Sequence, residues 1–204
     1  YRGNIDILNE HKSIAVVGSR KISAVGAKLA YNAGSIIGKN GFNLVNGLAL
    51  GCDAEALKGA LAAGGKCAVV LPCGINEIYP KSNQWIAEEV LKQGGCLISE
   101  YPEGTRPEKY RFVQRDRLQS GMSQGVLVVE AMEKSGTMHT AEYAKKQNRR
   151  LACYYHGLLK YSTGNNVLEN LYQAAVIKTN EDLENYLCEI ADIEEYTQLS
   201  FDFV

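Results

Sequence analysis

The chain has 204 residues, of which 46% are hydrophobic and 22% are charged, and its formal net charge is −1. This apolar content excludes a globally disordered chain and suits one compact domain with a sizeable core. No apolar run approaches the ~20 residues that a membrane helix needs, so we expect no membrane partner. The first residues form no charged-then-apolar leader, and we therefore expect a cytoplasmic protein.

The cysteines favour free thiols in a reducing compartment. None of the six forms a C-x-x-C pair, which argues against a zinc ribbon or a thioredoxin-type motif. His139 and Glu142 lie one helical turn apart, but two groups do not make a metal site. We expect neither a metal nor a cofactor.

Charge is distributed unevenly along the chain. Residues 178–204 contain one basic and eight acidic side chains, whereas the other 177 residues contain 21 basic and 15 acidic ones, so the two parts carry −7 and +6. A mildly basic body permits a polyanionic partner. We divide the chain into a core over residues 1–177 and an acidic C-terminal helix or tail over 178–204, for which a solvated helix is the simplest interpretation.

Short, continuously apolar runs predict strands that are buried on both faces. In four cases a helical stretch ending in Gly or Asn comes directly before the run, as expected for left-handed helix caps. The predicted strands cover residues 14–17, 42–45, 67–71, 96–99, 126–129 and 151–154. Strands alternating with helices predict an α/β, extended Rossmann-like fold, with a mostly parallel sheet and helices on both faces. Residues 101–114 form the one long segment without a clear pattern.

Three predicted strands are followed by turns rich in Gly, hydroxyl or amide side chains. In open α/β sheets, ligands bind beyond the carboxyl ends of the strands, and helix N-termini there offer unpaired N–H groups to phosphate. The turns contain Gly18, Ser19 and Arg20; Asn46 and Gly47; and Ser135, Gly136 and Thr137. They predict a phosphate-binding edge.

Residues 101–117 mix basic and aromatic side chains and carry a net charge of +2. Basic side chains pair with phosphates, and aromatic rings stack on unpaired bases. The candidates for binding are Lys109, Arg111, Phe112, Arg115 and Arg117. The alternative is a solvated loop in which Arg115 and Arg117 pair with local acids.

Nine short stretches, in order, resemble the DNA-processing protein A family (DprA/Smf). They are residues 14–20, 46–53, 60–65, 71–75, 79–80, 99–102, 112–117, 128–131 and 135–140. The resemblance implies a non-catalytic protein that binds single-stranded DNA in natural transformation and recombination, loads the RecA recombinase and forms a homodimer.

The resemblance also implies roles for individual residues. Gly18, Ser19, Arg20 and Gly47 would form the phosphate edge, with Asn46 where the family usually has Ser or Thr. Lys109 and Arg115 would contact phosphate, Phe112 would stack on a base, and residues 135–137 would offer helix-start donors. Arg117 would be a phosphate contact or a structural ion pair.

Two departures from the family pattern stand out. Asp116 replaces an Asn between the two arginines, which places a negative charge beside the predicted DNA site. Many members carry a C-terminal winged-helix module, in whose place we expect the acidic segment 178–204.

A nucleotide sensor or a LOG-type phosphoribohydrolase is the alternative function. The same fold resembles these enzymes, which cleave the base from nucleoside monophosphates. Only Gly136 and Thr137 fit their turn, and Glu130 and Glu142 are the available carboxylates.

Overall fold

The computed structural model describes residues 1–192. Within them the strands are β1 (Arg2–Gly3), β2 (Ser13–Val17), β3 (Asn43–Asn46), β4 (Cys67–Val70), β5 (Cys96–Ile98), β6 (Gly125–Val128), β7 (Arg150–Tyr154) and β8 (Ala175–Ile177). The α-helices are α1 (Ile7–Glu10), α2 (Ala24–Lys39), α3 (Cys52–Ala62), α4 (Gln84–Lys92), α5 (Lys109–Gly121), α6 (Thr137–Lys146), α7 (Thr163–Leu171) and α8 (Asn180–Ala191).

The strands form one sheet in the order β1-β5-β4-β3-β2-β6-β7-β8. Every pairing is parallel except that of the edge strand β1 with β5. In the centre, Ile14 of β2 lies opposite Leu44 of β3 on one side and Gly125 of β6 on the other. The predicted α/β fold with a mostly parallel sheet is confirmed.

Helices cover both faces of the sheet because its central strands are apolar throughout. All five residues of β2 are buried. Ile14 and Val16 belong to the core beneath α2, α3 and α8, whereas Ala15 and Val17 belong to the core beneath α6 and α7. The alternating direction of side chains along a strand therefore supplies both cores at once.

Helices α2 and α3 pack with their backbones in direct contact. A Cβ atom at Gly34 would lie 1.9 Å from the carbonyl oxygen of Ala56, and one at Gly59 would lie 1.9 Å from that of Tyr31. Both neighbours are backbone atoms that cannot rotate away. Glycine at these two positions sets the spacing of the helix pair that covers β2 and β3.

The acidic segment begins as a docked helix. Thr179 and Asp182 form a capping box at the start of α8, and Leu183, Leu187 and Ile190 are buried against the sheet. Tyr186 donates its hydroxyl to the carbonyl of Arg150 at 3.0 Å. The helix is therefore solvated on one face only. Residues 193–204 of the predicted tail lie outside the described residues.

Two strands and one helix differ from the sequence prediction. Strands β1 and β8 lie at the edges of the sheet and were not predicted, and α5 occupies part of the segment that showed no clear pattern. All six cysteines are free, as expected, and Cys188 alone is exposed. Within residues 1–192, every helix is too short or too polar to span a bilayer.

The contact between α2 and α3 predicts that Gly59→Ala destabilises the protein. The added methyl group overpacks the helix pair, so we expect the free energy of unfolding to fall by about 1–3 kcal/mol in urea denaturation. Gly121→Ala at the end of α5 is the control, because its Cβ would meet no atom closer than 3.5 Å. Equal stability of the two variants would contradict the close packing.

Candidate nucleic-acid interface

The candidate site lies where the order of the sheet reverses. From β2 the chain proceeds outward through β3 and β4 on one side, and from the adjacent β6 it proceeds through β7 and β8 on the other. Such a switch point opens a crevice at the carboxyl ends of the two central strands. Here the crevice lies between Gly18, which follows β2, and Glu130, which follows β6.

A cavity of about 1000 Å³ occupies this crevice. Nine of the predicted site residues line it: Gly18, Ser19 and Arg20 from the turn after β2, Lys109, Phe112 and Arg115 from α5, and Ser135, Gly136 and Thr137 from the start of α6. These residues come from three separated parts of the sequence. The volume is sufficient for a nucleotide.

Asn46 and Gly47 lie behind the cavity and shape its wall. Asn46 is fully buried, and its side chain donates to the Asp53 carbonyl and accepts from the Leu48 N–H. A Cβ at Gly47 would overlap the Arg115 guanidinium. Their positions make them supports of the loop rather than contacts for a ligand.

Arg111 and Arg117 also lie outside the cavity lining. The Arg111 guanidinium is paired with Glu108 and lies over the rings of Tyr101 and Tyr110, 5.2 Å from each centroid. Arg117 is paired with Glu100. Of the two roles expected for Arg117, the structure shows the ion pair.

Arg115 is the buried centre of the site. It is 4% exposed and donates through Nη1 to the Val70 carbonyl and through Nε to Asp116 Oδ1. Asp53 is 5% exposed, and its Oδ2 accepts from the N–H groups of Gly47 and Ala49 at 3.0 and 3.2 Å. The guanidinium therefore connects α5, the end of β4 and the loop after β3.

Burial shifts the two carboxyls around Arg115 towards the neutral form. Burial raises the pKa of Asp53, although Arg115 and two backbone N–H donors oppose the rise. Burial also raises the pKa of Asp116 to about 6, against the lowering effect of Arg115. Desolvation thus outweighs attraction at both carboxyls, because one guanidinium is shared between them.

The rim of the cavity carries an aromatic cluster. The Arg20 guanidinium lies 4.8 Å from the centroid of the Phe112 ring, and Tyr79 meets the same ring edge-on at 5.6 Å. Tyr79 is 45% exposed. Aromatic rings therefore lie at the mouth of the cavity, and the Arg20 guanidinium covers one face of the Phe112 ring.

Glu130 holds the two walls of the crevice together. It is fully buried, with Oε2 accepting from the Ser23 N–H at 2.7 Å and Oε1 from the Tyr161 N–H at 3.1 Å. Its carbonyl accepts from the Ser19 N–H at 2.7 Å. Glu130 does not line the cavity, and neither does Glu142, whose Oε2 lies 3.9 Å from His139 Nδ1.

Sequence reasoning missed several lining residues. Lys21 and Lys134 adjoin predicted turns and could have been found from that position. Tyr79 belongs to one of the stretches that carry the resemblance but was not assigned a role, and Tyr161 comes from a loop without a motif. Gln119 lies on a helix that the hydrophobic pattern did not reveal. The sequence predicts Asp116 only as a negative charge beside the site, whereas in the structure it lines the cavity.

The raised pKa of Asp116 predicts a pH-dependent effect of Asp116→Asn. The folded-state pKa is about 6 and the ordinary value is 3.8, so the stability from this group is present below about pH 4 and is lost as pH rises through 6. Asn does not titrate. We expect the stability of the variant relative to wild type to rise by about 3 kcal/mol between about pH 4 and pH 7.

Urea unfolding of both proteins across this pH range measures the difference. Asp53 is present in both proteins and its charge interacts with Asp116, so the difference reports the coupled pair of carboxyls. Asp6→Asn makes the same chemical change at an exposed position and serves as the control. A difference between Asp116→Asn and wild type that is independent of pH would contradict the assignment.

Comparison with known proteins identifies the family of this chain. The family model described as DNA recombination-mediator protein A matches residues 1–187. Protein Smf of Escherichia coli is 41% identical over 138 residues, which are 68% of this chain and 37% of that protein. DNA processing protein DprA of Bacillus subtilis is 35% identical over 150 residues, 74% of this chain and 50% of that protein. The chain thus spans half or less of the length of these two curated relatives.

Solved structures of DprA proteins have the same fold as this chain. DNA processing protein A of Helicobacter pylori, whose single-stranded DNA binding mode has been described structurally, superposes with a TM-score of 0.83 at 29% identity, covering 92% of this chain and 85% of that chain. DprA of Streptococcus pneumoniae gives 0.77 at 30% identity, covering 95% and 65%. A molybdenum cofactor binding protein of Rippkaea orientalis gives 0.65 at 17% identity, covering 89% and 98%, and shares the fold alone. The chain belongs to the DNA recombination-mediator protein A family, the family of DprA and Smf.

Proposed function

We propose that this chain binds single-stranded DNA in the cavity and acts as a non-catalytic recombination mediator during DNA uptake. The observation that carries the proposal is the convergence on one cavity of two phosphate-binding turns and the basic, aromatic face of α5. Each of these features is weak alone. Together they offer the charge, the backbone donors and the stacking surface that a single strand requires.

Four cations on the cavity lining are available to phosphate. Arg20, Lys21, Lys109 and Lys134 are exposed, and none of them forms an ion pair with another residue among 1–192. The two acids of the lining, Asp53 and Asp116, are buried beside Arg115. A strand passing the rim would therefore meet positive charge first.

The start of α6 supports a phosphate position within the cavity. The helix begins at Thr137 and has no side-chain cap among residues 1–192, while the N–H groups of Met138 and His139 donate to the Ser135 and Gly136 carbonyls. The hydroxyl oxygen of Ser135 is buried without a hydrogen-bond partner. A Cβ at Gly136 would meet nothing within 4 Å, which leaves room for a phosphate to approach the backbone.

The relatives support the same proposal and extend it to partners. The Helicobacter pylori protein binds single-stranded DNA. A RecA-type recombinase as partner and a homodimeric assembly belong to the proposal because the resemblance implies them. A cytoplasmic location belongs to it because the cysteine pattern favours a reducing compartment. The two carboxylates that the hydrolase alternative invokes, Glu130 and Glu142, do not line the cavity, whereas Asp53 and Asp116 do.

The four rim cations predict the salt dependence of binding. If each neutralises one phosphate, log K should fall against log salt with a slope near −3, at ~0.7 per phosphate. Fluorescence anisotropy of a labelled strand of about 30 nucleotides, titrated across a salt series, measures the slope. Absence of binding at low salt would overturn the proposal and direct attention to free nucleotides.

We predict that removing a basic side chain weakens DNA binding when that side chain lies at the rim of the cavity. We expect Arg20→Ala and Lys109→Ala each to weaken binding by about tenfold and to reduce the slope by ~0.7, because each removes a charge-assisted phosphate contact. Arg150→Ala and Lys39→Ala are the matched controls, since both residues are exposed. They lie at the start of β7 and the end of α2, on the side of the sheet where the strands begin, whereas the cavity lies where the strands end. Equal effects of rim and control variants would place the DNA elsewhere.

A further inference from the structure

One carboxyl group on the lining of the cavity has an oxygen that no protein group uses. Asp116 lines the cavity and is 8% exposed. Both of its recorded hydrogen bonds go to Oδ1, from Arg115 Nε at 3.3 Å and from Gln119 Nε2 at 2.9 Å. Oδ2 has no partner among residues 1–192 and is not among the polar atoms sealed from solvent, so it is open to the cavity.

An ionised carboxylate at this place conflicts with a phosphate ligand. Both groups are negatively charged and both only accept hydrogen bonds, so they repel each other and cannot form a hydrogen bond. The repulsion is stronger in a cavity than in water, because the dielectric constant there is lower. Protonation of the carboxyl removes the conflict, since the neutral acid has one O–H donor and no charge.

The hydrogen bonds of Asp116 determine which of its oxygens would carry the proton. Oδ1 already accepts from two N–H donors, one of them on the Arg115 guanidinium. Oδ2 accepts from no group among residues 1–192 and is open to the cavity. The proton therefore belongs on Oδ2, where the resulting O–H group is available to a ligand.

The neighbouring carboxyl of Asp53 is less suited to take the proton. Its Oδ2 accepts from the N–H groups of Gly47 and Ala49, and such hydrogen bonds stabilise the ionised form. Asp116 has no backbone N–H donor among residues 1–192. Burial raises the pKa of Asp116 to about 6, and the negative charge of Asp53 acts in the same direction.

Titratable and charged groups face Asp116 from three helices: Arg115 on its own helix, Asp53 on α3 and His139 on α6. His139 lies in the first turn of α6, the helix start at which we propose a phosphate position. A phosphate bound there would add a negative charge to the surroundings of Asp116. A nearby negative charge raises the pKa of a carboxyl, so binding of the strand and protonation favour each other.

We propose that Asp116 takes up a proton when the strand binds and donates a hydrogen bond from Oδ2 to a phosphate oxygen. This inference rests on the proposed function, because it requires a strand in the cavity. The proton comes from water or buffer and stays on the carboxyl while the strand is bound, so no covalent bond of the DNA changes. The affinity for DNA is therefore full below the pKa of the free protein and is lost as pH rises through the higher pKa of the complex.

The first test is the pH dependence of binding by wild type. A labelled single strand of about 30 nucleotides without terminal phosphates is titrated by fluorescence anisotropy at fixed salt, from about pH 5.5 to about pH 8. We expect roughly tenfold tighter binding at about pH 6 than at about pH 7.5. With a pKa of about 6, roughly half of the free carboxyls are protonated at the lower pH and only a few per cent at the higher.

Substitutions identify the group that titrates. In Asp116→Asn the amide oxygen can replace Oδ1 and the amide N–H group can replace the Oδ2 proton, at every pH. We expect this variant to bind roughly tenfold more tightly than wild type at about pH 7.5 and to lose most of the pH dependence. His139→Gln removes an imidazole, which also changes charge in this range, and should keep the dependence. Asp6→Asn, the same chemical change at an exposed residue, should behave as wild type.

Calorimetry measures the proton directly and requires no substitution. The binding enthalpy is determined at about pH 7 in two buffers of different ionisation enthalpy, and its difference gives the number of protons taken up. For wild type we expect uptake of about one proton per binding site, because most of the free carboxyls are ionised at this pH. Asp116→Asn should take up fewer protons than wild type.

The outcomes separate this inference from the function on which it rests. Binding by wild type that is independent of pH and takes up no proton would overturn the inference and leave single-strand binding intact. An equal pH dependence in wild type and Asp116→Asn would also overturn it, because another group would then bind the proton. Failure of the strand to bind at every pH would instead overturn the proposed function.

Discussion

A single buried guanidinium holds the candidate site in shape. Arg115 connects the carbonyl at the end of β4, a carboxyl on its own helix and, through Gly47 and Asp53, the loop that follows β3. An unpaired charge at this depth would be strongly destabilising, so these segments are bound to one another by the need to compensate it. Gly47 is required because any side chain there would occupy the place of the guanidinium.

This arrangement separates two kinds of basic residue that look alike in the sequence. Arg115 lies inside and organises the protein, whereas Lys109, two turns earlier on α5, is exposed at the rim. Arg111 and Arg117 are engaged by Glu108 and Glu100 and do not line the cavity. One helix thus provides the rim, the floor and the outer surface of the site.

The strands of the core could be predicted from sequence because parallel strands buried on both faces are continuously apolar, as in β2 and β6. The edge strands β1 and β8 could not, since the former has two exposed residues and the latter three residues of mixed burial. Helix α5 escaped prediction for a different reason. The residues that it buries are polar, namely Arg115, Asp116, Gln119 and Ser120, so its hydrophobic pattern carries little signal.

The candidate site was predictable in part for the same physical reasons. Glycine-rich turns after strands identify the edge where ligands bind, and those after β2 and before α6 do line the cavity. Asn46 and Gly47 belong to such a turn as well, but their contacts are internal. Sequence pattern shows that a turn is tight, whereas the direction that its groups face depends on tertiary packing.

Glu130 has a consequence for the energetics of the crevice. One residue engages the N–H groups of Ser19, Ser23 and Tyr161, and these belong to segments on both sides of the switch point. All three contacts exist before any ligand is present. The conformational entropy of these loops is therefore lost when the chain folds and not when a ligand arrives, which leaves the crevice preorganised for whatever it binds.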